Sequence, residues 1–218
     1  MKRRLCLLTL FAGFAIALPA WAQILYNGGP INGETDAWTI NEGFVVSDTF
    51  TLFSGSNATV NGISFGAWLF PGDTLESVDV SFTHFEFGGT IYFNQTVNFT
   101  ASGCFVNTYG FDVCQETGFF SGVNLAGGTY WMNLQNAVVN TGDPVYWDEN
   151  DGVGCTSPGC PSMGDGNNCI ADGTFCVGSE SFTLSGNNVA TVPEPSSMVL
   201  FGSGLLSVVA MVRRKRRL

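Results

Sequence analysis

Hydrophobic and polar residues alternate along much of the chain with the period of two that is typical of β-strands. The clearest case lies at residues 76–87, where Val78, Val80 and Phe82 would share one face of a strand. The positions between them are Asp, Ser and Thr, which suit a solvated face. This segment therefore predicts a strand with one buried and one exposed side.

Shorter segments of the same kind recur between turn signals that are rich in Gly, Asn and Pro. They predict further strands at residues 44–53, 59–70, 90–100, 119–123, 129–134 and 181–185. Gly88-Gly89 predicts a two-residue hairpin turn between 76–87 and 90–100. Because about nine short antiparallel strands are expected and no long helical period is present, we predict an all-β fold. Its expected form is an antiparallel two-sheet β-sandwich, jelly-roll-like in outline.

A second hairpin is predicted from the spacing of two cysteines. A turn at residues 107–110 would place Val106 opposite Asp112 and Cys104 opposite Cys114. Residues that face each other across antiparallel strands are close enough for a disulfide. We therefore predict a Cys104–Cys114 bond.

The first 22 residues have the features of an export signal. Three basic residues at positions 2–4 precede an apolar run at 5–18, and Ala20 and Ala22 supply the small side chains that signal peptidase recognises. Cleavage is expected between Ala22 and Gln23. The sequence therefore predicts a signal helix at 1–22 and signal peptidase as a partner.

The other end of the chain has three segments in a fixed order. Pro193, Glu194 and Pro195 are followed by an uncharged apolar span and then by five basic residues at 213–217. The fifteen uncharged residues at 198–212 would be roughly 22 Å long as a helix, short of the hydrocarbon layer of about 30 Å unless residues 195–197 join them, and we place the span at about 196–212. Basic residues after such a span favour the cytoplasmic side. We predict a C-terminal transmembrane helix with the body outside the inner membrane.

This order of triplet, apolar span and basic cluster, over residues 191–218, resembles the PEP-CTERM sorting tail of exported bacterial proteins. The resemblance implies that a membrane-embedded exosortase handles the tail. It also implies that the inner membrane is a transient or retained anchor and that the body reaches the cell surface or extracellular matrix. Proteins with this tail accompany systems that produce exopolysaccharide, which makes exopolysaccharide a possible partner. A plain C-terminal anchor is the alternative interpretation.

Charge is divided sharply between the ends and the body. All eight Lys and Arg lie at 2–4 and 213–217, whereas all 18 Asp and Glu lie between Gln23 and Pro195. An acidic body without Lys or Arg repels the phosphate backbone, so we exclude nucleic acid as a partner. The length of this part suits one domain, which we place at 23–190.

Residues 143–176 form a long irregular segment between the last two predicted strands. It contains Cys155, Cys160, Cys169 and Cys176, which an oxidising compartment would join in two disulfides. Spacing does not decide between pairing neighbours and a nested arrangement. A zinc site is the competing interpretation, but no histidine lies nearby.

The same segment contains the best candidate for a metal site. Asp148, Asn150 and Asp151 alternate oxygen donors ahead of a glycine, as calcium-binding loops do, and Asp165 or Asp172 could complete the set. The bidentate Glu of an EF-hand is missing, because Gly159 stands at that position. We therefore expect Ca2+ as the only possible cofactor, in a site that is not an EF-hand. Solvated turn acids are the alternative.

Few catalytic arrangements are compatible with the composition. His84 is the only histidine, and the body has no Lys or Arg to stabilise an anion. We predict no enzymatic activity, and an exported structural or adhesive protein is the first expectation. A carbohydrate-binding module that uses Trp147, with or without calcium, is the second. A glycoside hydrolase with two carboxylates is the third.

Overall fold

The computed structural model describes residues 22–150, 154, 164–166 and 179–189. This part of the chain is all-β, as predicted. Its nine strands are β1 (Gln23–Asn27), β2 (Asp36–Thr39), β3 (Val45–Leu69), β4 (Leu75–Phe85), β5 (Gly88–Val106), β6 (Asp112–Val139), β7 (Tyr146–Glu149), β8 (Gly164–Gly166) and β9 (Phe182–Val189). The predicted signal helix and C-terminal helix fall outside the described residues, among which no helix is long and apolar enough to cross a membrane.

The strands form one antiparallel sheet with the order β1-β9-β3-β6-β4-β5. Its centre is the pair β3 and β6, of 25 and 28 residues, which are hydrogen-bonded from Val45–Gln135 to Leu69–Asp112. Two of the predicted strands, at 44–53 and 59–70, are therefore one strand. The polar residues between them form an irregularity of the β3–β6 ladder between Leu52 and Asn57 instead of a connecting turn.

β5 changes its partner along its length. Its first part pairs with β4 as far as Asn98, whereas its second part pairs with β6 from Phe99 onwards. β6 in turn pairs with β4 through its second half. The predicted all-β, antiparallel class is confirmed. The predicted two-sheet, jelly-roll-like sandwich is not confirmed: the hydrogen bonds join the nine described strands into one sheet.

The sheet folds over a single aromatic core. Tyr26 of β1 contacts Phe50 of β3 with their ring centroids 6.2 Å apart, although these two strand segments do not pair with each other. Phe50 also contacts Phe82 of β4 at 5.2 Å. All three side chains are fully buried, and burial of each contributes about 1.5–3 kcal/mol to folding. The predicted inward positions Val78, Val80 and Phe82 are confirmed as core.

The turn between β4 and β5 differs from the prediction. Glu86 and Phe87 form it, not Gly88-Gly89, because Phe85 pairs with Gly88. Phe87 has a φ of 52°, in the left-handed region that a side chain rarely adopts. Its backbone N–H donates a hydrogen bond of 3.2 Å to the Asn133 side chain. This contact from β6 helps to fix a turn that the glycine pair alone would have placed two residues later.

Candidate functional site

The cysteine hairpin is formed as predicted. Val106 pairs with Asp112, and Cys104 and Cys114 are joined with their Cα atoms 4.1 Å apart. An irregularity between Ser102 and Phe105 allows the two cysteines to meet. Cys155, Cys160, Cys169 and Cys176 lie outside the described residues, so their pairing stays a prediction.

Trp147 is not exposed, which corrects its assignment as a sugar-binding residue. Its side chain is fully buried in β7, between the rings of Phe65 and Phe182 at 6.2 and 5.6 Å. Its indole N–H donates to the Ser181 carbonyl oxygen at 3.2 Å. β7 joins the sheet through β2 and β3, and this pairing turns the tryptophan inward. A sugar cannot stack on this ring.

Asp148 follows Trp147 and is also fully buried. Its carboxylate accepts three hydrogen bonds: from the Trp68 indole N–H at 2.7 Å, from the Gly33 backbone N–H at 2.8 Å and from the Asn32 backbone N–H at 3.0 Å. Burial raises the pKa of this carboxyl, and these hydrogen bonds lower it. Asp148 thus joins β7, β3 and the segment before β2.

The residues of the predicted calcium site are not brought together by the described structure. Asn150 is buried and its amide donates to the Pro30 carbonyl oxygen at 2.7 Å. The backbone of Asp165 in β8 lies opposite Ser47, near the start of β3, whereas β7 pairs with Ala67 and Trp68 near its end. Asp151 and Asp172 lie outside the described residues. A cation at Asp148 would have to displace three N–H groups that donate to this carboxylate. The calcium site stays a prediction, because two of its residues are not described.

Among the described residues, no three His, Cys, Asp or Glu side chains are placed to hold a metal ion. His84 is exposed, and its ring packs against Phe85 with the centroids 4.4 Å apart. It lies at the end of β4, away from the buried carboxylates of β6 and β7 in the ladder. The predicted absence of catalysis stays a prediction.

A group of buried acids was missed by the sequence analysis. Asp48 of β3, Glu149 of β7 and Glu180 before β9 are all nearly or fully buried. Glu149 and Glu180 form a β-bridge, so their side chains lie on one face. The Asp48 carboxylate accepts hydrogen bonds from the Glu180 backbone N–H at 2.9 Å and the Ser179 hydroxyl at 3.3 Å. The Trp38 indole N–H donates to Glu149 at 3.0 Å.

Protonation makes this burial possible in a body without Lys or Arg. Burial raises the pKa of Glu180 well above its usual value, and the charge of Asp48 and a hydrogen bond to Asp48 raise it further. These effects favour the protonated form of Glu180, which donates a hydrogen bond to Asp48. Asp48 and Glu180 thus share a proton as the two carboxyl groups of a catalytic dyad do, but both are buried, so a polysaccharide substrate cannot reach them. It contributes to the structure of the body.

Glu116 is a second acid that the sequence analysis did not select. It lies on β6, opposite Phe65 of β3 and Ala101 of β5, with no exposed surface. Neither carboxyl oxygen has a hydrogen-bond partner among the described residues. Burial raises the pKa of Glu116 to about 7. Its burial could have been predicted from the sequence. Residues two apart on a strand share a face, so Glu116 lies on the same face as Cys114, which the predicted disulfide already marked.

Comparison with known proteins identifies the end of the chain. The family model of the PEP-CTERM protein-sorting motif matches residues 191–217, which include Pro193, Glu194 and Pro195. No curated protein matches the chain.

Proposed function

We propose that this protein, which carries a PEP-CTERM protein-sorting motif, ends at the cell surface or in the extracellular matrix, where it has a structural or adhesive role. The motif itself implies an exported protein that an exosortase processes. The observation that carries the proposal is the position of the motif, which begins two residues after β9 ends at Val189. The sorting signal is thus attached directly to the folded sheet.

The body has the properties that an extracellular structural protein needs. Its Cys104–Cys114 disulfide suits an oxidising compartment. Its 18 acidic side chains without any Lys or Arg favour solubility and repulsion from anionic surfaces. The tip of the cysteine hairpin is held against the sheet, because the exposed ring of Tyr109 stacks on Trp68 with the ring centroids 5.7 Å apart. A role in an exopolysaccharide or biofilm setting belongs to this proposal, as does temporary attachment through a helix at about 196–212.

A carbohydrate-binding activity is the second candidate, at a surface other than Trp147. The third candidate, a glycosidase with two carboxylates, is not favoured by the buried acids. Asp48 and Glu180 are 0% and 1% exposed, so a polysaccharide cannot reach them. We therefore propose no catalytic activity.

Sorting is tested by replacing Pro193, Glu194 and Pro195 with alanine in the producing cell. The triple variant is expected to remain in the membrane fraction at its unprocessed mass, whereas the natural chain is released or transferred. Ser196→Ala/Ser197→Ala is the matched control, because it changes adjacent residues and leaves the triplet intact. Equal release of the triple variant and the natural chain would contradict exosortase sorting.

The structural or adhesive role is tested separately. Cells that lack the protein are expected to form a matrix that disperses under weaker shear than the parent, and the gene supplied in trans should restore cohesion. Unchanged cohesion and unchanged retention of matrix polymer would contradict this role while leaving the sorting result intact.

A further inference from the structure

A cavity of about 450 Å³ lies on the outer face of the sheet, across β9, β3 and β6. Its floor follows from strand register. Thr183 of β9 is flanked by Asn27 of β1 and Ser64 of β3, and Gln115 lies on the neighbouring strand β6. Residues opposite each other in antiparallel strands point to the same face. Their polar side chains therefore converge on one space.

The segment 29–31 forms a wall of this cavity, and hydrogen bonds to the buried residues Asp148 and Asn150 hold it in place. The Asn150 amide donates to the Pro30 carbonyl oxygen at 2.7 Å, and the Asp148 carboxylate holds the next two backbone N–H groups. Gly66 permits the close approach, because a Cβ at that position would lie 2.9 Å from the Ile31 side chain. The wall is preorganised, so a ligand would not have to order it.

The lining is polar and uncharged. The side-chain donors and acceptors on this face are amides and hydroxyls, those of Asn27, Ser64, Gln115 and Thr183, whereas Ser181 is fully buried. Apolar surface comes from the Pro30 and Ile31 side chains of the wall, whereas Phe65 and Phe182, which also border the cavity, are buried in the core.

Two of these groups are available to a ligand. The side chains of Gln115 and Thr183 make no hydrogen bond to the rest of the described chain, whereas Ser64 already accepts one from Thr117 at 3.2 Å. A metal cation would need carboxylates, and an anion would need a basic group. An apolar ligand would leave amides and hydroxyls unpaired. The chemistry of the lining therefore selects a neutral ligand with several hydroxyl groups.

We infer that this cavity binds a sugar unit of a neutral saccharide. Its volume lies in the range of about 300–1,000 Å³ that small-molecule sites occupy. The sugar hydroxyls pair with Gln115 and Thr183, and its C–H face lies against Pro30 and Ile31. The inference deepens the proposed function and rests on it, because export is what brings the body into contact with extracellular saccharides.

The test is an NMR titration of the full chain, kept in solution by a detergent without a sugar headgroup. The probes are glucose, galactose, mannose and N-acetylglucosamine, with glucuronate as the anionic comparison. At least one neutral sugar is expected to shift the backbone amide signals of residues 27–31, 64, 115 and 183. Glucuronate is expected to bind more weakly, since the acidic body repels it.

Gln115→Ala/Thr183→Val removes the two unpaired polar groups and should weaken neutral-sugar binding about tenfold or more, or about 1.4 kcal/mol. Gln95→Ala/Thr90→Val is the matched control, because these exposed residues lie on β5 away from the cavity, and it should bind as the natural chain does. Absence of binding by all four neutral sugars would overturn the inference, as would shifts elsewhere or equal binding by the site variant. If the protein is nevertheless sorted and the matrix depends on it, the proposed function survives that failure.

Discussion

Asp148 is the residue on which the local order around the cavity depends. It accepts hydrogen bonds from two consecutive backbone N–H groups, of Asn32 and Gly33, and from the Trp68 indole. Hydrogen bonds to a charged group contribute about 1.5–3 kcal/mol each, and loss of a buried partner costs a similar amount. The side chain was selected from the sequence as a metal ligand, whereas the structure shows it bound to protein donors.

Asp148→Asn is expected to lower the free energy of unfolding by about 2 kcal/mol, because an amide nitrogen would face one of the N–H donors. Urea titration monitored by tryptophan fluorescence measures the change. Asp143→Asn is the control, since Asp143 is exposed and its side chain makes no hydrogen bond that the structure shows. Equal stability of both variants and the natural chain would show that the three bonds contribute nothing.

Glu116 carries a pH dependence of its own. Burial raises its pKa from 4.5 to about 7, so folding favours the protonated form. Its contribution to stability is therefore complete below about pH 4.5 and is lost as the pH rises through about 7. Glu116→Gln mimics the protonated state at every pH.

The Glu116→Gln variant is expected to match the natural chain near pH 4 and to exceed its free energy of unfolding at pH 8. The gain should be roughly 1–2 kcal/mol, a value reduced to allow for solvent screening. Urea titrations at several pH values measure the difference. Glu76→Gln is the control, because Glu76 is exposed. A difference that stays constant with pH would contradict the assignment.

At the scale of elements, β9 is held against β3 by a glycine. A Cβ atom on Gly186 would lie 1.9 Å from the Thr59 carbonyl oxygen and 2.9 Å from the Leu25 side chain. Backbone at that distance cannot move aside without breaking the β3–β9 ladder. The position tolerates only a residue without a side chain.

Gly186→Ala is expected to lower the free energy of unfolding by about 3 kcal/mol or to prevent folding. Gly88→Ala is the control, because no atom lies within 4 Å of its added Cβ. Thermal unfolding followed by circular dichroism compares the two variants. A Gly186→Ala protein as stable as the Gly88→Ala protein would contradict the close packing of β9 on β3.

Strand existence could be predicted well, and strand length could not. The alternation at Val78, Val80 and Phe82 marks burial directly, and the cysteine spacing fixed the register of the second hairpin. Polar residues at 54–57 were interpreted as a turn, but a long strand accommodates them as an irregularity when its partner β6 continues. Local pattern does not reveal such a partner.

The candidate site was less accessible to sequence reasoning. Trp147 was expected at the surface because acidic residues follow it, yet pairing of β7 with β2 and β3 buries both Trp147 and Asp148. The cavity lining comes from β1, β3, β6, β9 and the segment 29–31. Its residues are ordinary Asn, Ser, Gln and Thr, which carry no motif until the strands are assembled.

At the scale of the whole molecule, the body between the two basic ends carries charged side chains of negative sign and no Lys or Arg. Between Gln23 and Pro195 the chain has 18 carboxyl groups and no Lys or Arg. The exposed carboxylates repel one another in the compact state more than in the unfolded chain. Mobile ions reduce this repulsion when the screening length becomes short.

Raising the sodium chloride concentration from low salt to about 0.5 M, where the screening length falls to about 4 Å, is therefore expected to raise the melting temperature by several degrees. Differential scanning calorimetry measures the shift. A saturating effect of calcium at millimolar levels, well below the sodium concentration required, would instead indicate a specific cation site. A melting temperature that falls with sodium chloride would contradict the repulsion argument.

β9 inserts between β1 and β3, so the first strand of the body acquires its hydrogen-bonding neighbour only from the last. The backbone groups of Gln23–Asn27 that face β9 therefore stay unmatched until Phe182–Val189 is in place. Because the PEP-CTERM motif begins two residues after β9 ends, the fold can close only when the chain is complete almost to that motif. A chain in which β9 has not yet docked would present two open strand edges to its neighbours, which makes the interval before β9 docks the period of greatest risk of aggregation.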